Sequence, residues 1–310
     1  MRLIHITDLH LTSLAHLGWR DLRGKQWLGY QSWLRNRQYR HLRANLDRLM
    51  QAVTAQNPDL LCITGDLVHI AHADELRAAA QWLGALDLAD RIVLIPGNHD
   101  LYHPAAWAVL AEQWRSWFRW PEDANLCAPR TAWPLTIKSG GVSIDCLNSS
   151  IPMPWYSAQG ELGSGQLNRL ESMPTGQQGP RVLLLHHPPL SPREDPSISR
   201  RKALRDSNAL RPLLGQYDFV LHGHTHKNTV LNAANTRIYG TASASASNAS
   251  FRQFDLEQVD NRWQITMQLN QLANSRISQI SDQTWIRDGT QEKGRQSPDP
   301  GQETGSTPLQ

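Results

Sequence analysis

The stretch "LIPGNHDLYH", residues 94–103, closes an apolar run with a Pro-Gly break and then sets Asn98, His99 and Asp100 side by side, with His103 just beyond. A turn alone accounts for Gly97 and Asn98, because both tolerate turn backbone. It does not account for His99.

Working outward, five further strand-length runs rich in Ile, Val and Leu share this habit or its setting. They are "RLIHIT" (2–7), "DLLCIT" (59–64), "VSIDCL" (142–147), "RVLLL" (181–185) and "DFVLH" (218–222). Several are continuously apolar, as strands buried on both faces are. Helical stretches alternate with them. "YRHLRANLDRLMQAVTAQ" (39–56) spaces Leu42, Leu46, Leu49, Met50 and Val53 on one face, and Pro58 follows its end. Residues 73–86 and 104–118 read the same way. Strands alternating with helices predict an α/β fold. Beyond residue 235, "FRQFDLEQV" and "RWQITMQLNQL" alternate polar and apolar residues around "DNR", which predicts a C-terminal β-hairpin with one wet face. "GTASASASNAS" (240–250) suits a flexible linker or an ordered strand and loop equally. Residues 288–310 are nearly free of apolar side chains and are expected to be a disordered tail, leaving residues 1–287 as the folded domain.

The chain has 310 residues, 40 % of them hydrophobic and 19 % charged, enough for a well-packed core. A net charge of +3 gives no case for a nucleic-acid binder. Cys62, Cys127 and Cys146 form no disulfide pattern. The N-terminus lacks the features of a signal peptide, and no window reaches the about 18 apolar residues of a spanning helix. A cytoplasmic protein is expected, with peripheral membrane contact left open.

The chemistry sits after the strands. Asp8 and His10 follow the first, Asp66 the second, Asn98, His99 and Asp100 the third. His186 and His187 follow the fifth, and His224 and His226 the sixth. Functional groups gather at the carboxyl ends of strands in α/β sheets. Each fragment alone is weak, but five strand ends delivering Asp, Asn and His to one rim point to divalent cations. Manganese, iron and zinc accept imidazole and carboxylate together. A carboxylate bridges two ions where an imidazole does not, and Asp66 is the natural bridge. Asn98 adds a neutral carbonyl oxygen. Two ions about 3.5–4 Å apart hold a nucleophile and clamp a phosphoryl oxygen.

In these blocks (D-x-H, GD, GNHD, His before a Pro-containing loop, GH-x-H) the sequence resembles the calcineurin-like metallophosphoesterases over about residues 1–270. The resemblance implies two packed mixed β-sheets flanked by helices, a four-layer α/β/β/α sandwich. It implies one metal on Asp8, His10, Asp66 and His226, and a second on Asp66, Asn98, His186 and His224. Sequence alone leaves His186 and His187 interchangeable. It implies that His99 is no ligand but serves the leaving-group oxygen, with Asp100 orienting its ring. The reaction implied is in-line attack of a metal-held hydroxide on phosphorus. His69 and His103 are candidates for touching substrate, and His222 for a supporting or core role.

Within the family the pattern is most similar to bacterial cyclic-nucleotide phosphodiesterases and glycerophosphodiesterases, so a small phosphoester of nucleotide type is the expected substrate. One insertion departs from it. Residues 19–43 carry seven basic side chains against Asp21 alone, interleaved with Trp19, Trp27, Tyr30, Trp33 and Tyr39. This suits a basic surface helix whose tryptophans cap the core. It also suits an anionic membrane surface, and then a lipid pyrophosphatase of the UDP-diacylglucosamine hydrolase type. A second tryptophan run, Trp107, Trp114, Trp117 and Trp120, is read as a neighbouring apolar surface. Arg200 and Arg205, in "SISRRKALRD", are candidates for steering a phosphate. A nuclease would need a long basic groove. A metal-free binding scaffold would be expected to have lost ligands, and here every ligand type is present.

Overall fold

The computed structural model describes residues 1–120, 129–174 and 178–288. Cys127 and nearly all of the expected tail lie outside them; Cys62 and Cys146 are buried free thiols.

The strands are β1 (Arg2–Ile6), β2 (Leu60–Ile63), β3 (Ile92–Leu94), β4 (Leu135–Ser139), β5 (Val142–Cys146) and β6 (Arg181–Leu184). They continue with β7 (Phe219–His222), β8 (Thr229–Ala233), β9 (Thr236–Gly240), β10 (Ser250–Val259), β11 (Arg262–Ala273) and β12 (Arg276–Asp288). They form two six-stranded sheets, ordered β12-β11-β10-β1-β2-β3 and β4-β5-β6-β7-β9-β8. In the first, β1, β2 and β3 are parallel and β10 runs antiparallel to β1. In the second, β5, β6, β7 and β9 are parallel, with β4 and β8 antiparallel at the edges.

The sheets meet face to face. Phe219 of β7 stacks on Phe254 of β10, 4.5 Å apart and 4° from parallel. Strand periodicity explains the second sheet's two faces: Val182 and Leu184 join the core between the sheets, and Leu183 points to the other side. The helices are α1 (Lys25–Ser32), α2 (Gln38–Arg40), α3 (Arg43–Ala55), α4 (Ala73–Gly84), α5 (Ala106–Gln113), α6 (Arg115–Phe118), α7 (Ser164–Ser172) and α8 (Ser207–Leu210). Buried Leu46, Leu49, Met50 and Val53 of α3 belong to the apolar face read from the sequence, but Leu42 of that reading precedes the helix and is exposed. Leu170 of α7 and Leu210 of α8 cover the far face of the second sheet.

Two expectations are corrected and one open alternative is resolved. The C-terminal hairpin is a three-stranded meander, because β12 pairs along β11. The strand escapes a periodicity reading because both its faces are mostly exposed, with Ile280 and Ile286 in solvent. The segment 240–250 is an ordered loop, not a linker: Ala244 N–H donates to the Thr7 carbonyl, and Ala242, Ala244 and Ala249 are buried. The second tryptophan run is not an apolar surface: Trp114 and Trp120 are core, and Trp107 and Trp117 are half-buried against it. Trp114 is 0 % exposed and donates Nε1–H to the Leu76 carbonyl, and Trp120 packs on Phe118 and Trp133.

Candidate metal centre

The strand ends converge as the sequence predicts. The loop after β1 carries Asp8 and His10, and lies against the loop after β2 through Asp8 N–H to the Gly65 carbonyl and His10 N–H to the Asp66 carbonyl. Asp8, His10, Asp66, His224 and His226 all have positive φ, between 43° and 67°. Non-glycine residues rarely adopt this backbone, and clusters of it mark sites where surrounding structure enforces strain. Two glycines make room for the carboxylates. A Cβ on Gly97 would stand 2.2 Å from Asp66 Oδ1, and one on Gly223 would stand 2.6 Å from Asp8 Oδ2.

Among the described residues the candidate ligands gather in three groups of mutually close donor atoms: Asp8, His10 and His226; Asp8, Asp66 and His186; and His186, His187 and His224. The first two share Asp8 and the last two share His186. His226 Nε2 lies 3.1 Å from Asp8 Oδ1, His186 Nε2 lies 3.4 Å from Asp66 Oδ2, and His10 Nε2 lies 4.0 Å from it. Asn98 Oδ1 is 3.2 Å from His186 Nε2.

Backbone carbonyls set the imidazole tautomers. His10 Nδ1–H donates to Val68 and His186 Nδ1–H donates to Thr64, which leaves each Nε2 lone pair facing the site. Among the described residues buried His224 Nε2 has no hydrogen-bond partner, and Asp8 Oδ1 meets only the His226 ring. Buried polar atoms in this state call for a ligand, and a divalent cation fits a donor set of imidazoles, carboxylates and one amide. The electrostatics agree. Burial disfavours a charged His186, but the Asp66 and Asp8 carboxylates outweigh it and raise the imidazole to about 9. The site favours positive charge at this point.

His187 is separated from its neighbour by its partners. Nε2–H donates to the Ala158 carbonyl, and Nδ1 is 2.8 Å from the Ser149 hydroxyl. Both ring nitrogens are engaged, so His186 is the residue with a lone pair to offer.

His99 lines the cavity of about 590 Å³ that opens over the ligands. Its Nδ1–H donates to the His69 carbonyl at 2.6 Å, and its ring stacks on Tyr102. Burial first, then the Arg37 guanidinium, hold it well below the ordinary imidazole range. Asp100 does not orient this ring, contrary to the expectation. Its carboxylate accepts from the backbone N–H groups of Asp66, Leu67, Val68 and Gly97, and so ties the two ligand loops together.

A family model, calcineurin-like phosphoesterase, matches residues 1–228. The chain belongs to this family. No curated protein matches it. Among solved structures, a dimetal phosphatase from Danio rerio is similar with a TM-score of 0.60 at 14 % identity, over 91 % of this chain and 98 % of that one. Purple acid phosphatase PPD1 from yellow lupin (Lupinus luteus) seeds is similar with a TM-score of 0.56 at 11 % identity, over 93 % of this chain and 54 % of that one. These likenesses show the fold. As a calcineurin-like phosphoesterase, the chain is a phosphoester hydrolase that takes divalent metal ions.

Other expected contacts lie elsewhere in this phosphoesterase. His69 is buried, stacked on His10 at 5.0 Å, and holds His99 through its carbonyl. His103 donates to the Ala71 carbonyl. Arg205 pairs with Glu161 at the surface. Arg200 turns its carbonyl to Gln159, while its neighbour Lys202 lines the cavity. His222 is buried behind the ligands with Nδ1 on the Gly223 carbonyl.

Sequence reasoning missed His41 and the position of Arg37. Both come from the insertion, where a π-helical turn, Trp33–Arg37, joins α1 to α2. Such turns recur at functional sites. Trp33 is buried and Arg37 follows it by four residues, while His41 caps the end of α2 with extended backbone. That spacing was the available signal for Arg37. His41 packs on His10 at 4.2 Å and meets Ser245 Oγ through Nδ1. Burial, then the charge of His226, lowers it to about 3.

Proposed function

We propose that the chain is a dinuclear-metal phosphodiesterase acting on a small phosphoester of nucleotide type. The observation that carries the reading is the gathering of Asp8, His10, Asp66, Asn98, His186, His224 and His226 at one rim, with buried His224 Nε2 left without a partner among the described residues. Asp8, His10, Asp66 and His226 would hold one ion, and Asp66, Asn98, His186 and His224 the other. Ions bound there supply Lewis acidity toward a phosphoryl oxygen and toward water. Manganese, iron and zinc suit these ligands.

The chain's own residues do the rest. His99 faces the cavity with Nε2, since its Nδ1 proton is committed to His69, and from there it serves the leaving-group oxygen. Asp100 keeps Asp66 and Asn98 in register by binding both loops. Arg37, Arg40 and Lys202 line the cavity and draw an anionic substrate in. A hydrolysis panel in Mn²⁺ tests the proposal, using bis-p-nitrophenyl phosphate, cyclic AMP and a lipid pyrophosphate. Hydrolysis of bis-p-nitrophenyl phosphate supports it; no hydrolysis of any diester overturns it.

A second reading rests on the insertion. Trp27, Leu28, Leu34, Tyr39 and Leu42 are exposed among basic side chains, as on a peripheral membrane face. No helix of the described residues is long and apolar enough to cross a membrane. Flotation with anionic liposomes, with and without residues 19–43, tests this lipid-pyrophosphatase alternative; the absence of binding by the full chain removes it.

A further inference from the structure

Beside the metal centre lies a second cavity of about 280 Å³. It shares Arg37, Asn98, His99, Ala158 and Lys202 with the first, so the two cavities adjoin. Its character differs. Lys25, Arg37, Arg201 and Lys202 line it, and no carboxylate does among the described residues. Trp155 and Tyr156 line it too, 70 % and 56 % exposed. The two rings meet edge to face with centroids 5.7 Å apart.

The walls are built, not incidental. Ala158 N–H donates to the Arg201 carbonyl, and Gln159 Nε2–H to the Arg200 carbonyl. These bonds fix the aromatic loop to the turn that carries Arg201 and Lys202. The insertion supplies the other cations: Lys25 stands 3.9 Å over the Tyr102 ring, and that ring stacks on His99. Arg37 reaches within 3.2 Å of His99 Nδ1. A fixed cation beside the group that meets the departing oxygen is suited to a departing anion. An alkoxide needs a proton to leave, whereas a phosphate needs positive charge.

We infer that this cleft takes the leaving group, and that the leaving group is a nucleotide joined to the scissile phosphorus through a P–O–P anhydride. This deepens the proposed function and rests on it. Cationic side chains suit the second phosphate. Trp155 and Tyr156 offer faces on which a base stacks. The step is a balanced hydrolysis. Water's oxygen bonds to the scissile phosphorus, the P–O bond to the nucleotide breaks, and its electron pair stays on the departing phosphate oxygen. The water protons go to solvent and products, and no oxidant or reductant is needed.

The test compares P1,P2-diadenosine pyrophosphate with the p-nitrophenyl ester of thymidine 5′-phosphate and with bis-p-nitrophenyl phosphate, all in Mn²⁺ with the full chain. The expected order places the pyrophosphate first in kcat/KM. Arg37→Gln and Lys202→Gln each lose roughly 10- to 100-fold on the pyrophosphate, the worth of a charge-assisted hydrogen bond, and several-fold less on bis-p-nitrophenyl phosphate. Binding gives a readout independent of turnover. α,β-Methylene-ADP, measured by calorimetry, binds the wild type more tightly than AMP, and Trp155→Ala weakens it about fivefold or more. Trp155 is solvent-exposed, so that variant keeps the fold. Equal losses on all three substrates, or equal binding of the two nucleotides, overturn the inference. If bis-p-nitrophenyl phosphate is cleaved but the pyrophosphate is no better, this inference alone fails. If no diester is cleaved, the proposed function fails with it.

Discussion

The His69 carbonyl accepts the Nδ1 proton of His99 across 2.6 Å, so the backbone of the loop after β2 aims the imidazole at the cavity. His99 touches no candidate ligand through its ring nitrogens. His99→Ala therefore keeps its metal and slows turnover by roughly 10²–10⁴, the usual worth of a positioned acid–base side chain. Metal content by plasma mass spectrometry, read beside kcat, checks this. Loss of metal would return His99 to the ligand set.

Asp100 acts on backbone. It accepts four N–H groups from two loops. Asp100→Ala leaves these buried donors without acceptors and costs about 3 kcal/mol of stability or more, given the 1–3 kcal/mol lost per unsatisfied group. Asp100→Asn keeps one oxygen and recovers part of it. Urea unfolding followed by circular dichroism measures both.

His186 and His187 part company on removal. His186→Ala takes away a lone pair beside Asp66 and Asn98 and lowers metal content and activity together. His187→Ala breaks the bonds to Ser149 and Ala158 but leaves the metals in place, with a lowered Tm. Equal metal loss from both variants would show that His187 coordinates.

Gly223 is a steric gate for Asp8. A Cβ there would stand 1.9 Å from Thr7 Oγ1 and 2.6 Å from Asp8 Oδ2. Gly223→Ala displaces the aspartate and lowers metal affinity by roughly 10- to 100-fold, as loss of a supporting contact does. Titration of the variant with Mn²⁺ reads the shift.

Much of this arrangement is legible in the sequence because strand ends are local events. Continuous apolar runs mark β1, β2, β3, β5, β6 and β7, and the polar residues after them mark the rim. What the sequence hides is long-range. Asp100 lies beside His99 in the chain, yet its partners are 32–34 residues away at Asp66, Leu67 and Val68. Ring orientation is set by carbonyls, which no side-chain pattern reports. The tryptophans from Trp107 to Trp120 look like an exposed run because nothing local shows Phe118 and Trp133 packing around them. β12 has too few buried positions to show a period. Arg37 was readable only by fixing the helix phase on Trp33, and His41, in the extended backbone after α2, is placed by its contacts with His10 and Ser245.

The central claim is that Asp66, with Asp8, holds two cations at the shared rim. Metal stoichiometry of the purified wild type and Asp66→Ala, both grown in Mn²⁺, tests it most directly. The wild type is expected to hold about two equivalents, and the variant to lose both together with diesterase activity. Equal metal content in the two proteins would contradict it.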